Sequence, residues 1–262
     1  MLKTFKTLFI LFILSFITLY TNCKNDTRNT DNSFILKGRN SYFVDSYNGI
    51  SIYRDNDNRK PLNGYYVIAN ESTKWEEFNV ENGILNGDYI SYHNNGKKFS
   101  EAKYIKGKLH GEEKTYSITG ALSKLSTYRH GVRYGETITY YNNGNIESKS
   151  KIENEKTVES VSFDLIGNIE SQMFIKDGRS ITQTIVGGKV QVEQISSNYD
   201  SFEAMKLFNE DGSLKVFLRM LDEGDKSYLI ELDENEDELK RIDVKANPQE
   251  AMKYFQYLPT FN

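Results

Sequence analysis

Turn signals recur along this chain at a nearly constant spacing. The stretch LNGDYISYHNNG at residues 85–96 returns as YGETITYYNNG at residues 134–144. A fixed period of this length is typical of stacked structural repeats, each of which buries its apolar surface only against its neighbours. We therefore expect about eight tandem copies, of which the one at Gly188 is the least regular. Positions aligned with Gly96 follow one another in steps of 21 to 24 residues: Gly49, Thr73, Gly96, Gly120, Gly144, Gly167, Gly188 and Gly212.

Each copy contains two runs of about eight residues separated by turn signals, which is the pattern of one β-hairpin. In the strand after Gly135, Ile138 and Tyr140 alternate with Thr137 and Thr139, so the two pairs are expected on opposite faces. One face is thus moderately apolar and the other is polar. A regular hairpin would add four residues of the return strand to the face that carries the tyrosines: Leu122, Lys124, Ser126 and Tyr128.

The apolar face is thin, which favours one sheet stabilised by side-chain ladders between neighbouring hairpins. The predicted fold is all-β, an elongated single-layer antiparallel sheet of about eight hairpin repeats over residues 34–246. Near the C-terminus, NPQEAMKYFQYL offers Asn247 as an N-cap and Pro248 as the first helical residue. We expect residues 247–262 to form a short capping helix and tail, with the helix covering one open edge of the sheet.

The first 22 residues differ from the rest of the chain. Lys3 and Lys6 precede an apolar run of thirteen residues from Leu8 to Tyr20, which is the pattern of an export signal peptide. An uncleaved membrane anchor is the alternative, but the run is shorter than the roughly 20 apolar residues that span a bilayer. Residues 1–22 are therefore predicted to be a signal peptide.

Cys23 is the single cysteine of the chain, so no intramolecular disulfide can form. Its place after the apolar run resembles the lipidated cysteine of bacterial lipoproteins, although Asn22 and Tyr20 stand where that pattern has a small residue and Leu. The following CKND, with Asp26, looks like the short tethers of Bacteroidetes lipoproteins. The resemblance implies an exported outer-membrane lipoprotein, periplasmic or surface-facing, anchored to the membrane by lipid. Residues 23–33 are polar and are expected to form a flexible tether.

The net charge bears on the choice of partner. The formal charge of the chain is −4, and loss of Lys3 and Lys6 with the signal peptide would make it −6. A nucleic-acid partner would require a basic face that releases counterions from the phosphates. The composition therefore argues against nucleic-acid binding.

Residues that could carry chemistry are few. His93, His110 and His130 occupy different repeat positions beside turns, so we expect separate, solvated histidines and no metal site. The acidic run DENEDE has Glu238 where a calcium loop requires Gly. No GxSxG, HExxH or Walker motif is present. We predict no catalytic residue, no cofactor and no metal ligand; an enzyme whose site carries no known motif is the alternative.

The unit NGDYISYHNNGKKFSEAKYIKGKLHGE at residues 86–112 has a Gly-acidic start, a mid-strand Tyr, an Asn-Gly turn and a closing Lys-Gly. It resembles the MORN-repeat variant (membrane occupation and recognition nexus) of bacterial secreted proteins and lipoproteins, over about residues 62–149. The resemblance implies a non-catalytic sheet that serves protein or lipid contact. Many such proteins are labelled antitoxins of toxin–antitoxin systems, so an antitoxin or immunity protein is the alternative function.

Tyr92, Tyr116 and Tyr140 each lie four residues before a turn glycine. In a structural interpretation they form a core ladder, with each ring packed on its neighbours and each hydroxyl at the water boundary. In a functional interpretation they form an exposed aromatic row that contacts an unknown protein or glycan partner. These three tyrosines are the candidate binding residues.

Overall fold

The computed structural model describes residues 34–197, 199 and 202–255. The predicted signal peptide, the Cys23 lipidation site, the tether and the C-terminal tail lie outside these described residues. Within the described ranges the elements are β1 (Phe34–Lys37), β2 (Tyr42–Tyr47), β3 (Ile50–Asp55), β4 (Gly64–Ala69), β5 (Lys74–Glu81), β6 (Ile84–Tyr92), β7 (Lys98–Ile105), β8 (Lys108–Tyr116), β9 (Leu122–Arg129), β10 (Val132–Tyr140), β11 (Ile146–Glu153), β12 (Lys156–Phe163), β13 (Ile169–Lys176), β14 (Arg179–Val186), β15 (Lys189–Ser197), β16 (Glu203–Phe208), β17 (Leu214–Glu223), β18 (Lys226–Leu232), β19 (Glu238–Asp243) and α1 (Pro248–Phe255).

Strands β4 to β19 form one antiparallel sheet in which consecutive strands of the chain are neighbours. This confirms the predicted all-β sheet of hairpin repeats. The hairpin β2–β3 forms a separate two-stranded sheet, so the first copy does not extend the large one. Its strand β3 lies against the β5–β6 turn, where the Tyr53 N–H donates to the Gly83 carbonyl at 2.7 Å.

Two kinds of turn alternate along most of the sheet. Two-residue turns such as Lys106-Gly107 have positive φ at both residues, 49° and 78°. This geometry matches the twist of a hairpin. Five-residue turns are closed by a backbone hydrogen bond, such as the one from the His93 N–H to the Lys97 carbonyl at 2.8 Å.

The alignment of Gly49 and Gly188 with Gly96 is wrong, because both lie in two-residue turns. Two such turns follow each other at residues 177–178 and 187–188, so the alternation is interrupted there. Glycine spacing does not distinguish the two turn types, since both require a residue with positive φ.

The second Asn of each Asn-Asn-Gly turn links that turn to the five-residue turn that follows it. Asn95 donates from Nδ2 to the Ile118 carbonyl at 2.8 Å, and Asn143 donates to the Leu165 carbonyl at 3.3 Å. The Oδ1 atom of each accepts a hydrogen bond from the backbone N–H two residues later, which orients the amide. The repeated motif therefore connects successive hairpins.

The repeated glycines inside strands lie in β-bulges. Gly87, Gly111 and Gly135 each occupy the fourth position of their strand and have φ values of 124°, 87° and 73°. At each of them three residues oppose one residue of the preceding strand. A Cβ on Gly87 would lie 3.0 Å from the Asn79 side chain, so this position combines positive φ with a close approach.

Each face of the sheet is named here by one aromatic residue. The Phe78 face follows the row Phe78, Tyr89, Ala102, Glu113, Ser126, Thr137 and Ser150. The Tyr92 face follows the row Glu77, Ile90, Glu101, Lys114, Leu125, Ile138, Lys149 and Val161.

The expectation that Lys124, Ser126 and Tyr128 share a face with Tyr116 is wrong, because they belong to the Phe78 face. The register shifts between Thr115 and Tyr116, beside the five-residue turn. A shift of one residue exchanges the two faces of the following strand.

The N-terminal hairpin covers the Phe78 face at one end of the sheet. Tyr42 and Tyr53 pack on Phe78, with ring centroids 5.5 and 4.9 Å away. Tyr42 also donates a hydrogen bond to Glu76. The buried cluster beneath the hairpin includes Ile68, which is fully buried.

Helix α1 covers the same face at the other end. It begins at Pro248, as predicted, and its Ala251 is fully buried in a cluster with Leu229 and Ile242. The helix therefore packs on a face of the sheet and not on its edge as expected. On the opposite face, Phe217 belongs to a further buried cluster.

Candidate binding face of the repeat sheet

Bulges beside two hairpin turns bring a lysine and a glutamate together on the Tyr92 face. Lys74 and Glu77 are three residues apart and would point to opposite faces of a regular strand. A register shift places them on one face, where the Nζ to Oε1 distance is 2.6 Å. One period later, Lys98 and Glu101 form the same ion pair at 2.6 Å.

Tyrosine hydroxyls of the next strand donate to these carboxylates. Tyr92 donates to Glu77, which also accepts a hydrogen bond from Tyr65. Tyr116 donates to Glu101 at 2.5 Å. Each of these tyrosines is therefore connected at its hydroxyl to the preceding hairpin.

The third copy lacks the ion pair. Leu122 and Leu125 stand one period after Lys98 and Glu101, on strand β9. Tyr140 is half-buried on the same face. The Tyr92 face thus changes from charged to apolar from the first copies of the motif to the third.

The pKa values of these groups follow from their contacts. Burial and the hydrogen bond to Glu101 raise the pKa of the Tyr116 hydroxyl to about 12. Burial and the hydrogen bond to Glu77 likewise raise the pKa of Tyr92. Hydrogen bonds from Lys98 and Tyr116 lower the pKa of the Glu101 carboxyl. At neutral pH these phenols remain hydrogen-bond donors and Glu101 remains ionised.

The three candidate tyrosines share one face but do not form the ladder of the structural interpretation. Within the part of the chain that the structure describes, the rings of Tyr92, Tyr116 and Tyr140 do not stack on one another. Their contacts to Glu77 and Glu101 were missed by the sequence analysis. The available signal was the Lys-x-x-Glu pattern, which occurs twice at a separation of one period.

A continuous part of the Tyr92 face has no covering layer. Across β6 to β12, neither the β2–β3 hairpin nor helix α1 packs on it. Lys114 and Lys149 alternate with apolar residues along this surface. We call it the open aromatic face, defined by half-buried residues: Ile90, Tyr92, Tyr116, Leu125, Ile138, Tyr140 and Val161.

The expectation that all three histidines stay separate is wrong for one pair. The rings of His110 and His130 lie with their centroids 5.2 Å apart. His93 is elsewhere, with Nε2 at 2.9 Å from the Tyr116 carbonyl oxygen. Among residues 34–197, 199 and 202–255, no group of three His, Cys, Asp or Glu could hold a metal ion. A comparison of repeat positions did not predict this pair, because His110 in strand β8 meets His130 in the β9–β10 turn.

Two grooves lie outside the open aromatic face. A polar groove of about 280 Å³ is lined by charges that pair with each other, Arg179 with Glu236 at 2.7 Å and Lys206 with Glu193 at 3.7 Å. A groove of about 400 Å³ near β15 to β18 is lined largely by apolar residues such as Met205.

As far as the structure describes the chain, no helix is long and apolar enough to cross a membrane.

These features define a β-hairpin repeat protein with one face partly uncovered. The family model of the MORN repeat variant matches residues 85–106 and 133–154, so the chain contains repeats of this kind at two places. This confirms the resemblance for the repeat unit.

No curated protein matches the chain. Among solved structures, the chain is similar to a Bacteroides fragilis NCTC 9343 protein named as a candidate 6-phosphogluconolactonase. The identity is 10% and the TM-score is 0.19, over 78% of this chain and 96% of that chain. A TM-score this low does not indicate a shared fold.

Proposed function

We propose that the chain is an exported, non-catalytic lipoprotein that binds a partner protein through the open aromatic face at the cell envelope. The observation that carries the proposal is that, across β6 to β12, neither the β2–β3 hairpin nor helix α1 covers this face. Apolar and aromatic side chains with a charged margin are the composition expected of a protein interface.

A protein partner is favoured over a glycan by the surroundings of the first tyrosine. Lys74 Nζ lies 4.3 Å from the centre of the Tyr92 ring and occupies one face of that ring. Sugar binding commonly uses an aromatic ring whose face is free for stacking, whereas a protein side chain can contact the edge of the ring and the lysine together.

The binding face is tested with a pair of Ile→Lys variants. Ile138→Lys, on the open aromatic face, should reduce capture of the partner from cross-linked envelope fractions by about tenfold. Ile175→Lys is the matched control, because Ile175 is 48% exposed and lies on the Phe78 face. Both variants should melt close to the wild-type temperature. In the wild-type chain, the cross-links to the partner should involve Lys114 and Lys149. Equal loss of capture in both variants would exclude this face, and capture of a toxin would make the chain its antitoxin.

The anchoring part of the proposal rests on Cys23 and the apolar run before it. Cys23→Ser should move the protein from the detergent phase to the aqueous or retained-precursor fraction, because the acylated side chain is removed. Phase partitioning and mass spectrometry of the mature N-terminus measure this change. Unchanged partitioning of the variant would rule out lipidation.

A further inference from the structure

A two-residue turn meets the start of the last strand but one before it, at corresponding positions in successive repeats. In the first pair, Asn63 Oδ1 accepts a hydrogen bond from the Asn82 N–H at 2.6 Å. In the second, Asn86 Oδ1 accepts from the Lys106 N–H at 3.3 Å. An asparagine that precedes Gly64 or Gly87 thus stabilises the first residue of the next two-residue turn, which has positive φ.

In the third repeat both positions are histidine. His110 stands one period after Asn86, and His130 stands one period after Lys106. The turn is held beside the strand, because the Gly131 N–H donates to the Leu109 carbonyl at 2.8 Å. The two imidazoles are therefore brought together by the backbone and not by chance contact of mobile side chains.

The His110 ring has an unsatisfied nitrogen. Its Nδ1 is buried and has no hydrogen-bond partner, unlike the Asn86 oxygen at the equivalent position. A buried polar atom without a partner is costly, and an ion is one explanation for it.

We propose that His110 and His130 bind one divalent transition-metal ion, such as Zn²⁺, between their rings. Zinc–nitrogen distances of about 2.0–2.1 Å and a tetrahedral angle place two coordinating imidazole rings with their centroids about 5 Å apart. The centroids here are 5.2 Å apart and the rings are inclined by 57°. Imidazole suits Zn²⁺, Cu²⁺ and Ni²⁺, and water completes the coordination. The ion would connect β8 to the β9–β10 turn.

The test is a Zn²⁺ titration of the full chain followed by NMR of its histidine side chains. The chain has three histidines, so the imidazole signals are few and His93 serves as an internal control. A Cys23→Ser background removes the single thiol. The His110 and His130 signals should shift together and saturate at one Zn²⁺ per chain, while the His93 signals stay unchanged. Shifts that do not saturate, or that involve His93 equally, would overturn the site.

Two variants copied from the preceding repeat separate metal binding from folding. His110→Asn and His130→Lys install the residues found at Asn86 and Lys106, so both should fold. Each should weaken Zn²⁺ binding at least tenfold, and circular dichroism melting without metal should stay near the wild-type value. Wild-type affinity in either variant would contradict shared coordination. The outcome is independent of partner capture by the open aromatic face.

Discussion

A chain that lacks residues 108–131 is expected to fold into a shorter sheet with a cooperative unfolding transition. The deletion removes one whole period, which comprises β8, a five-residue turn, β9 and a two-residue turn. It joins the Lys106-Gly107 turn directly to β10. Strand β10 then takes the place of β8 beside β7, with the same direction and the same position in the repeat. Stacked repeats tolerate such a change because each hairpin contacts mainly its neighbours.

Removal of residues 108–121 alone is expected to abolish the cooperative transition. This deletion takes away β8 and the five-residue turn, so β9 would follow β7 and every later strand would run in the opposite direction. The residues of the Phe78 face before the deletion would then be aligned with residues of the Tyr92 face after it. The five-residue turns before and after the deletion would lie at opposite ends of the strands. Urea unfolding followed by circular dichroism compares the two deletions, and equal damage from both would refute the stacked-repeat model.

Gly83→Ala is expected to lower the free energy of unfolding by about 3 kcal/mol. A Cβ there would lie 2.8 Å from both the Tyr53 carbonyl oxygen and Ile52 Cγ2, so the β2–β3 hairpin would have to move. Positive φ, here 77°, accounts for about 1 kcal/mol of the loss. Overpacking against a backbone atom adds roughly 1–3 kcal/mol.

Gly131→Ala is the matched control for that substitution. Its φ is 87°, but the nearest atom to a Cβ is Lys108 Cβ at 3.8 Å, which is ordinary contact. This variant should lose only about 1 kcal/mol, the cost of positive φ. Urea unfolding curves give both values. Equal losses would mean that the hairpin does not depend on its contact with the β5–β6 turn.

The sequence by itself determined the repeat, the hairpins and the C-terminal helix. Turn residues and alternation act locally, so the spacing of Gly96, Gly120 and Gly144 predicted strands of the observed length. The start of α1 at Pro248 was likewise predictable, because a proline is favoured at the first helical position. The sequence also placed the three candidate tyrosines at one repeat position, which the structure locates on one face.

Only the tertiary structure decided what lies opposite those tyrosines. Bulges next to the turns shift the register by one residue, so Glu101, which pairs with Lys98, accepts the Tyr116 hydroxyl while Ser126 and Tyr128 lie on the other face. A bulge depends on hydrogen bonds between two strands, and a period-two pattern in one strand does not record it. The contact of His110 with His130 was likewise not recorded in any one strand, because it joins strand β8 to the β9–β10 turn. Coverage of the Phe78 face was also undetermined, since it depends on where the β2–β3 hairpin and α1 pack.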